Sequence, residues 1–122
     1  MATKITLFNN SKDAVSVDAG EVIFKEGDPG DVMYAVLSGR LDVIHKDAVI
    51  YSVGEGDIIG EMAIVDKSPR SATLVAAEPS SVVKVDEKRF LFLVQEHPTF
   101  AMQVMRIMAD RLRQANDREL DR

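Results

Sequence analysis

The stretch IIGEMAIVDKSPRSATLVA, residues 58–76, predicts a strand, a turn, a short helix, a loop and a second strand in succession. Gly60 allows a sharp chain reversal and lets a ligand approach the backbone closely. Residues 61–63 are expected to form a single helical turn, and the free N–H groups at such a helix start attract anions. Arg70 opens the next strand with a planar fork of N–H donors that suits a phosphate group. The stretch therefore predicts an anion site between two strands.

Small and acidic residues near Arg70 refine this prediction. Ser71 adds a hydroxyl donor, while Ala63 and Ala72 leave room for a ligand. The charge of Glu61 would repel a phosphate, but its carboxylate can accept a hydrogen bond from a sugar hydroxyl, as acidic residues do with ribose in other nucleotide sites. These residues together indicate a nucleotide held by its sugar and its phosphate. The alternative is a plain salt bridge between Glu61 and Arg70, of the weak kind common on protein surfaces.

Short apolar runs rich in Val, Ile, Tyr and Phe surround this stretch, which is typical of β-strands. Turn-forming segments separate them, namely DAG, EGDPGD, SGR, GEGD and DKSP. Such spacing favours a sandwich, jelly roll or barrel of short antiparallel strands, from about residue 5 to about residue 85. The SGR turn at residues 38–40 predicts a compact hairpin. The predicted strand runs are AVSV, EVIF, VMYAVL, RLDVIH, AVIYSV, ATLVA and SVVKV.

The apolar spacing changes to a helical period from about residue 86 to about residue 120. Asp86 is predicted to cap the first helix, DEKRFLFLVQEH, because its carboxylate can accept a bond from a free N–H group of the first turn. Pro98 lies near the start of a second, longer helix, where its missing N–H costs little. The apolar stripe of the first helix consists of Phe90, Leu91, Leu93 and Val94.

The last helix, TFAMQVMRIMADRLRQANDREL, carries two apolar stripes. One stripe is expected to face the β domain, and the other recurs at spacings of four and three, like a heptad seam. Two stripes predict two neighbours. A homodimer formed through this helix and simple packing on the parent domain are both open. The inner stripe comprises Phe100, Val104 and Ile107, and the seam comprises Ala101, Met105, Met108, Leu112 and Ala115.

Composition excludes several classes of function. The chain has 122 residues, so we expect residues 1–122 to form a single domain. A formal net charge of −5 argues against direct binding of nucleic acid, which needs a basic face. The absence of cysteine excludes disulfides and thiol catalysis and suits a reducing cytoplasm. The polar N-terminus lacks a signal-peptide pattern, and no apolar run reaches the length of a membrane span. We therefore expect a soluble cytoplasmic domain without membrane contact.

The two histidines do not predict a metal site. His45 follows a strand pattern, and His97 lies between two helical patterns, where a solvated or capping role is expected. A barrel-type metalloenzyme would need several His or carboxylate ligands on neighbouring strands. No pairing of a nucleophile with a base is apparent either, so we expect no enzymatic activity.

Two motifs resemble a known family. Gly60-Glu61-Met62-Ala63, a loop and then Pro69-Arg70-Ser71-Ala72 resemble the phosphate-binding cassette of cyclic nucleotide-binding domains. Those domains occur in the bacterial catabolite activator, in cyclic-nucleotide-dependent kinase regulatory subunits and in cyclic-nucleotide-gated channels. The segments EVIFKEGDPGDVMYAVLSGRLDVI and GEGDIIGE resemble the family's early strands and the lead into its cassette. The resemblance implies a β-roll of about eight antiparallel strands followed by two helices, the last of which acts as a lid.

The resemblance also implies a role for each residue of the cassette. Glu61 would bind the ribose 2′-hydroxyl, and Arg70 would bind the cyclic phosphate. Ser71 and the backbone amides around Met62 and Ala63 would add hydrogen bonds to the phosphate. The complete set of expected ligand-binding residues is Gly60, Glu61, Met62, Ala63, Arg70, Ser71 and Ala72.

The lid helix carries further residues implied by resemblance to the bacterial activator. Arg111 would approach the cassette carboxylate, and Leu112 would pack on the purine. Ala115 and Asn116 correspond to a Thr-Ser pair that reaches the adenine amino group in that activator. Asn116 can replace this contact in part, whereas Ala115 cannot, and this departure bears on the preference for one base.

The function implied is a non-enzymatic cyclic nucleotide sensor, with cAMP favoured over cGMP as the ligand and no metal or other cofactor. The alternative is an interaction or dimerisation module that keeps the fold, works through its last helix and needs no ligand. A complete cassette favours the sensor, because maintaining the fold does not require Pro-Arg-Ser-Ala at residues 69–72.

Overall fold

The computed structural model of the protein describes the backbone of residues 3–120 and the side chains of residues 3–117. Short strands come first along the chain and helices follow, as the change of apolar period predicts. The strands are β1 Val15–Val17, β2 Val22–Phe24, β3 Val32–Ser38, β4 Arg40–His45, β5 Ala48–Gly54, β6 Ile58–Ile59, β7 Thr73–Ala76 and β8 Ser80–Asp86. The helices are α1 Met62–Val65, α2 Glu87–Glu96 and α3 Pro98–Leu120.

The strands form two four-stranded antiparallel sheets, in the orders β1-β8-β3-β6 and β2-β7-β4-β5. Alternate residues of the long strands point into the space between the sheets or under the helices, which produces two apolar clusters. Eight antiparallel strands in two sheets, followed by helices, confirm the predicted β-roll.

The predicted hairpin at residues 38–40 is wrong. Strand β3 pairs with β6 and β8, whereas β4 pairs with β5 and β7, so this turn carries the chain from one sheet to the other. Gly39 makes the crossing with φ of +90°, a value that glycine adopts without steric cost. The hairpin of this region is instead β4–β5, whose turn residues Lys46 and Asp47 have φ of 52° and 63°. Its turn contains no glycine, so the sequence pattern did not mark it.

Helix α3 packs its inner stripe against the sheet that contains β3 and β8. Phe100, Val104 and Ile107 are all buried there, which confirms the expectation that this stripe faces the β domain. Phe100 makes edge-to-face ring contacts with Phe8 and Phe90, at centroid distances of 5.9 and 5.7 Å. The position of α3 along the roll is therefore fixed by one large buried ring and its neighbours.

Helix α2 begins where the sequence predicts, because the Asp86 carboxylate accepts a 2.8 Å hydrogen bond from the Arg89 N–H. Its predicted apolar stripe needs one correction. Phe90, Leu93 and Val94 pack on the core, but Leu91 is 59% exposed. The packed residues follow the three-and-four spacing of one helical face, and Leu91 lies outside that face.

In the part of the chain that the structure describes, two large apolar side chains of the α3 seam are exposed to solvent. Met105 is 53% exposed and Leu112 is 63% exposed, whereas Met108 packs partly against the core. Among the described helices, none has a stretch long and apolar enough to span a bilayer.

Candidate functional site

The predicted cassette connects β6 to β7 and contains the short helix α1. Gly60 follows β6 with φ of +83°, which turns the chain sharply into α1. Glu61 is the N-cap of α1, but its side chain makes no capping hydrogen bond and is free to reach another element. The Ala63 N–H, expected to face a ligand, donates to the Gly60 carbonyl at 3.3 Å. This N–H is therefore already used within the turn, and the side chains of the cassette are the better hydrogen-bonding groups for a ligand.

Within the cassette, Arg70 is buried, with 7% of its surface exposed. Its Nη1 donates to the Gly60 carbonyl at 3.2 Å, and its Nη2 donates to the Val32 carbonyl at 2.8 Å. Nε is buried and has no hydrogen-bond partner among the described residues. The guanidinium carbon lies 4.2 Å from the centre of the Phe24 ring and 5.8 Å from that of Tyr34. Two carbonyl dipoles and an aromatic face thus stabilise this cation.

Within residues 3–117, no carboxylate forms an ion pair with Arg70. Burial lowers the pKa of its guanidinium, and Tyr34, Asp31 and Asp28 act in the opposite direction. An arginine nevertheless stays charged in a protein. A buried charge without a counter-ion is costly, so the site has a positive charge that an anion would compensate.

Glu61 has a different partner. Arg111 of α3 donates from Nη1 to both of its carboxylate oxygens, at 3.1 and 3.2 Å. Both side chains are largely buried, with 7% of Glu61 and 16% of Arg111 exposed. The Arg111 guanidinium also donates to the Ile58 carbonyl and lies 5.4 Å from the centre of the Tyr51 ring. The alternative of a plain Glu61–Arg70 salt bridge is therefore wrong, because α3 supplies the arginine that pairs with Glu61.

Two adjoining cavities lie along this part of the molecule. The first has a volume of about 70 Å³ and is bounded by the cassette together with Phe24 and Tyr51. All seven residues of the predicted ligand set line it: Gly60, Glu61, Met62, Ala63, Arg70, Ser71 and Ala72. The second, of about 470 Å³, opens between the cassette and α3, and Met108, Arg111 and Leu112 line it together with Glu61 and Met62. The structure thus brings the cassette and two of the predicted lid residues together.

The third lid residue is not part of this group. Asn116 is exposed and lines neither of the two cavities, and Ala115 is half-buried. Sequence reasoning missed Phe24, Gly30 and Tyr51, which surround the two arginines. Phe24 belongs to a predicted strand and Gly30 to the EGDPGD turn, and both signals described local structure only.

No group of three or more His, Cys, Asp or Glu side chains that could hold a metal ion occurs within the described residues. His45 instead contacts Glu26 through Nδ1 at 2.9 Å. His97 is the C-cap of α2, with its backbone N–H bound to the Leu93 carbonyl at 2.8 Å.

Comparisons with known proteins identify the family of the chain. The chain matches the family described as "Cyclic nucleotide-binding domain" over residues 14–97. It is 38% identical over 109 residues to lysophospholipase nte1 of Aspergillus fumigatus, which is 85% of this chain but 7% of that protein. It therefore spans about 7% of the length of the curated relatives that it matches.

Solved structures give the same result. The catabolite activator protein of Thermus thermophilus is 32% identical, with a TM-score of 0.76 over 88% of this chain and 53% of that one. The cAMP-bound form of PfPKA-R is 30% identical, with a TM-score of 0.72 over 85% of this chain and 36% of that one. The family match covers well over half of the chain. This protein belongs to the cyclic nucleotide-binding domain family.

Proposed function

We propose that this chain is a sensor that binds a cyclic nucleotide without transforming it, with cAMP preferred over cGMP. One observation carries the proposal. Arg70 lines a cavity of the cassette as a buried cation that, among the described residues, has no carboxylate partner. The phosphate of a cyclic nucleotide carries one negative charge and would supply the missing counter-ion.

The phosphate would lie against Arg70 and Ser71. A guanidinium has five N–H donors, and only two contacts of Arg70 are made with carbonyl groups, so donors remain for phosphate oxygens. Ser71 is exposed beside it and supplies a hydroxyl donor. Ala63 and Ala72 are both buried and small, so they leave space in the cavity for the phosphate.

The ribose would lie against Glu61. Each carboxylate oxygen has two acceptor positions, so the carboxylate can accept from a 2′-hydroxyl as well as from Arg111. This arrangement would connect the sugar to α3 through a single side chain. Ligand contact with Glu61 would then change the hydrogen bonds that Arg111 donates to it.

Binding would also require movement of α3 relative to the cassette. The cassette cavity holds about 70 Å³, whereas sites for small ligands usually have volumes of roughly 300–1,000 Å³. The adjoining space below Leu112 is larger, at about 470 Å³. A nucleotide that spans both spaces would displace the Glu61–Arg111 contact or reshape it, and the population of α3 positions would change with it. We propose that this shift is the signal.

The purine would occupy the space next to α3. Leu112 is 63% exposed and borders that space together with Met62, so apolar surface is available to cover a base. Asn116 would need a shift of α3 to reach the base, because it lines neither cavity.

The test is isothermal titration of the chain with cAMP and then with cGMP, alongside 5′-AMP and adenosine. We expect saturable binding of cAMP, weaker binding of cGMP, and little binding of adenosine, which lacks the phosphate. A thermal shift with the same ligands provides an independent reading, because a ligand selective for the native state must raise its stability. No heat and no thermal shift with either cyclic nucleotide would exclude the sensor.

The exposed seam of α3 supports a second role as an association surface, through which the chain forms a homodimer. Met105 and Leu112 expose more than half of their surface there. Sedimentation of the chain with and without cAMP, compared with Met105→Glu, tests this role. A monomer at every concentration would exclude it.

A further inference from the structure

The loop of residues 25–31, between β2 and β3, holds the backbone of Arg70 from both sides. The Gly27 N–H donates to the Arg70 carbonyl at 2.8 Å, and the Arg70 N–H donates to the Asp28 carbonyl at 2.9 Å. Both of these hydrogen bonds join residues more than forty positions apart. The position of Arg70 is therefore set by this loop as well as by its own cassette.

The same region shapes the space around the side chain. The centre of the Phe24 ring, at the end of β2, lies 4.2 Å from the guanidinium carbon of Arg70. On another side, a Cβ atom added to Gly30 would lie 2.5 Å from Nε and 2.6 Å from Cζ of Arg70. Atoms cannot approach so closely, so the guanidinium occupies space that only a glycine at position 30 leaves free.

We propose that Phe24 and Gly30 are positioning residues for the Arg70 guanidinium. This inference rests on the proposed function, because it assigns to Arg70 the phosphate of the ligand. An aromatic face stabilises a cation through its quadrupole and carries no net charge. Phe24 can thus hold the guanidinium in place and leave its full positive charge to the phosphate. A carboxylate at the same place would neutralise that charge.

A purely structural role for Phe24 predicts something different. Phe24 packs at the edge of one apolar cluster and contacts Tyr34 at a centroid distance of 6.0 Å. If packing were its whole contribution, its replacement would lower the stability of the protein and leave the environment of Arg70 unchanged. A measurement on the guanidinium itself distinguishes the two roles.

The first measurement is a proton–nitrogen NMR spectrum of the ligand-free chain, in which Arg70→Lys identifies the Arg70 Nε–H signal. The relaxation of this signal reports how rigidly the side chain is held. A guanidinium held by an aromatic face should be rigid in the parent and in Phe24→Tyr, and more mobile in Phe24→Leu. Phe90→Leu is the matched control, because Phe90 packs on the other cluster. An Arg70 Nε–H group that is equally rigid in Phe24→Leu overturns the proposal.

The second measurement is isothermal titration of the same variants with cAMP. Phe24→Leu should bind roughly 5- to 30-fold more weakly, the range of a desolvated cation–π contact, and Phe24→Tyr should restore binding. Gly30→Ala should weaken binding by roughly tenfold, because the added methyl group must displace the guanidinium. Gly54→Ala is its control, since a Cβ there meets only the Gly39 carbonyl, at an ordinary 3.5 Å.

The outcomes separate this proposal from the proposed function. If the parent binds neither cAMP nor cGMP, the sensor function fails, and the NMR measurement on the ligand-free chain still decides whether Phe24 holds Arg70. If the parent binds cAMP and both Phe24→Leu and Gly30→Ala bind it equally well while remaining folded, the positioning role is wrong.

Discussion

Arg70 and Arg111 line two adjoining cavities, yet the protein stabilises their charges differently. Arg70 is 7% exposed and is held by two backbone carbonyls and the face of Phe24. Arg111 has a side chain that is 16% exposed, and it pairs with both carboxylate oxygens of Glu61. The first cation has its geometry fixed and its charge uncompensated. The second has a counter-ion on another element.

In the proposed sensor, this difference separates a group that binds the ligand from a group that couples two elements. A cation held by neutral groups is prepared to receive an anion, because its orientation is already fixed before the anion arrives. A cation paired across two elements instead makes the position of one element depend on the other. In this chain the first arrangement belongs to the β-roll, and the second joins the cassette to α3. Variants of each arginine test whether Arg70 binds the ligand and Arg111 couples the cassette to α3.

The largest effect is expected at Arg70. Replacement by alanine should weaken cAMP binding by about 2–5 kcal/mol, the range for truncating one member of a buried charged contact. Isothermal titration measures this loss, and Arg113→Ala is the control, because Arg113 is 69% exposed on α3. Arg70→Lys should recover only part of the affinity, since an ammonium group cannot reproduce the planar fork. Equal binding by Arg70→Ala and the parent would refute the phosphate assignment.

The next effect concerns the pair of Glu61 and Arg111. Urea unfolding of Glu61→Gln, Arg111→Gln and the double variant should give a coupling energy of about 1–3 kcal/mol, because removing one partner leaves a buried polar group unsatisfied. The Asp110–Arg113 pair on the same helix is exposed, and its cycle should give at most about 1 kcal/mol. Equal coupling in both cycles would mean that burial gives the first pair no special strength.

A smaller effect is expected one residue beyond Arg111. Leu112 is 63% exposed in this structure, so Leu112→Ala should leave the free energy of unfolding nearly unchanged. If the side chain covers the base, the same change should weaken cAMP binding by about 1 kcal/mol, as expected for lost apolar contact. Leu91→Ala on α2, where Leu91 is 59% exposed, should change neither quantity. Titration and thermal unfolding of the two variants make the comparison.

The smallest effect is expected at Asp13, which lines neither of the two cavities. Hydrogen bonds from Ser11 and Arg89 hold the pKa of the Asp13 carboxyl below its ordinary value of 3.8. The unfolded chain therefore binds more protons here, so this carboxyl stabilises the fold above pH 3.8, and the contribution is lost as the pH falls through the lowered pKa. Asp13→Asn should flatten the acid end of the stability curve slightly, as urea unfolding between about pH 3 and pH 6 would show. Asp47→Asn is the control.

Much of the fold follows from local signals in the sequence. Asp86 marks the start of α2, and the spacing of Phe100, Val104 and Ile107 marks the face of α3 that is buried. Both signals depend on residues within a few positions of one another. The turn at residues 38–40 shows where such signals end, because a turn pattern does not specify which sheet the next strand joins.

The candidate site shows the same limit. The order of residues in the cassette predicted the acid, the arginine and the small neighbours, and all seven line one cavity. The groups that hold Arg70 lie elsewhere in the chain: the carbonyl of Val32, the ring of Phe24 and the space at Gly30. A backbone carbonyl has no sequence signature, and a missing side chain has one only if its neighbour in space is known. Three-dimensional contact alone identifies these three contributors.

The close approach of Gly30 to Arg70 has a consequence for classifying other members of the family. A related chain can retain Gly-Glu and Pro-Arg-Ser-Ala in its cassette and still carry a larger residue at the position of Gly30. Its arginine would then be displaced although every motif residue is present. The motif alone would place such a chain among the receptors, whereas the close approach at Gly30 predicts that it binds its ligand more weakly. We therefore expect the residue at this turn, forty positions before the arginine, to help distinguish strong binders from weak ones within the family.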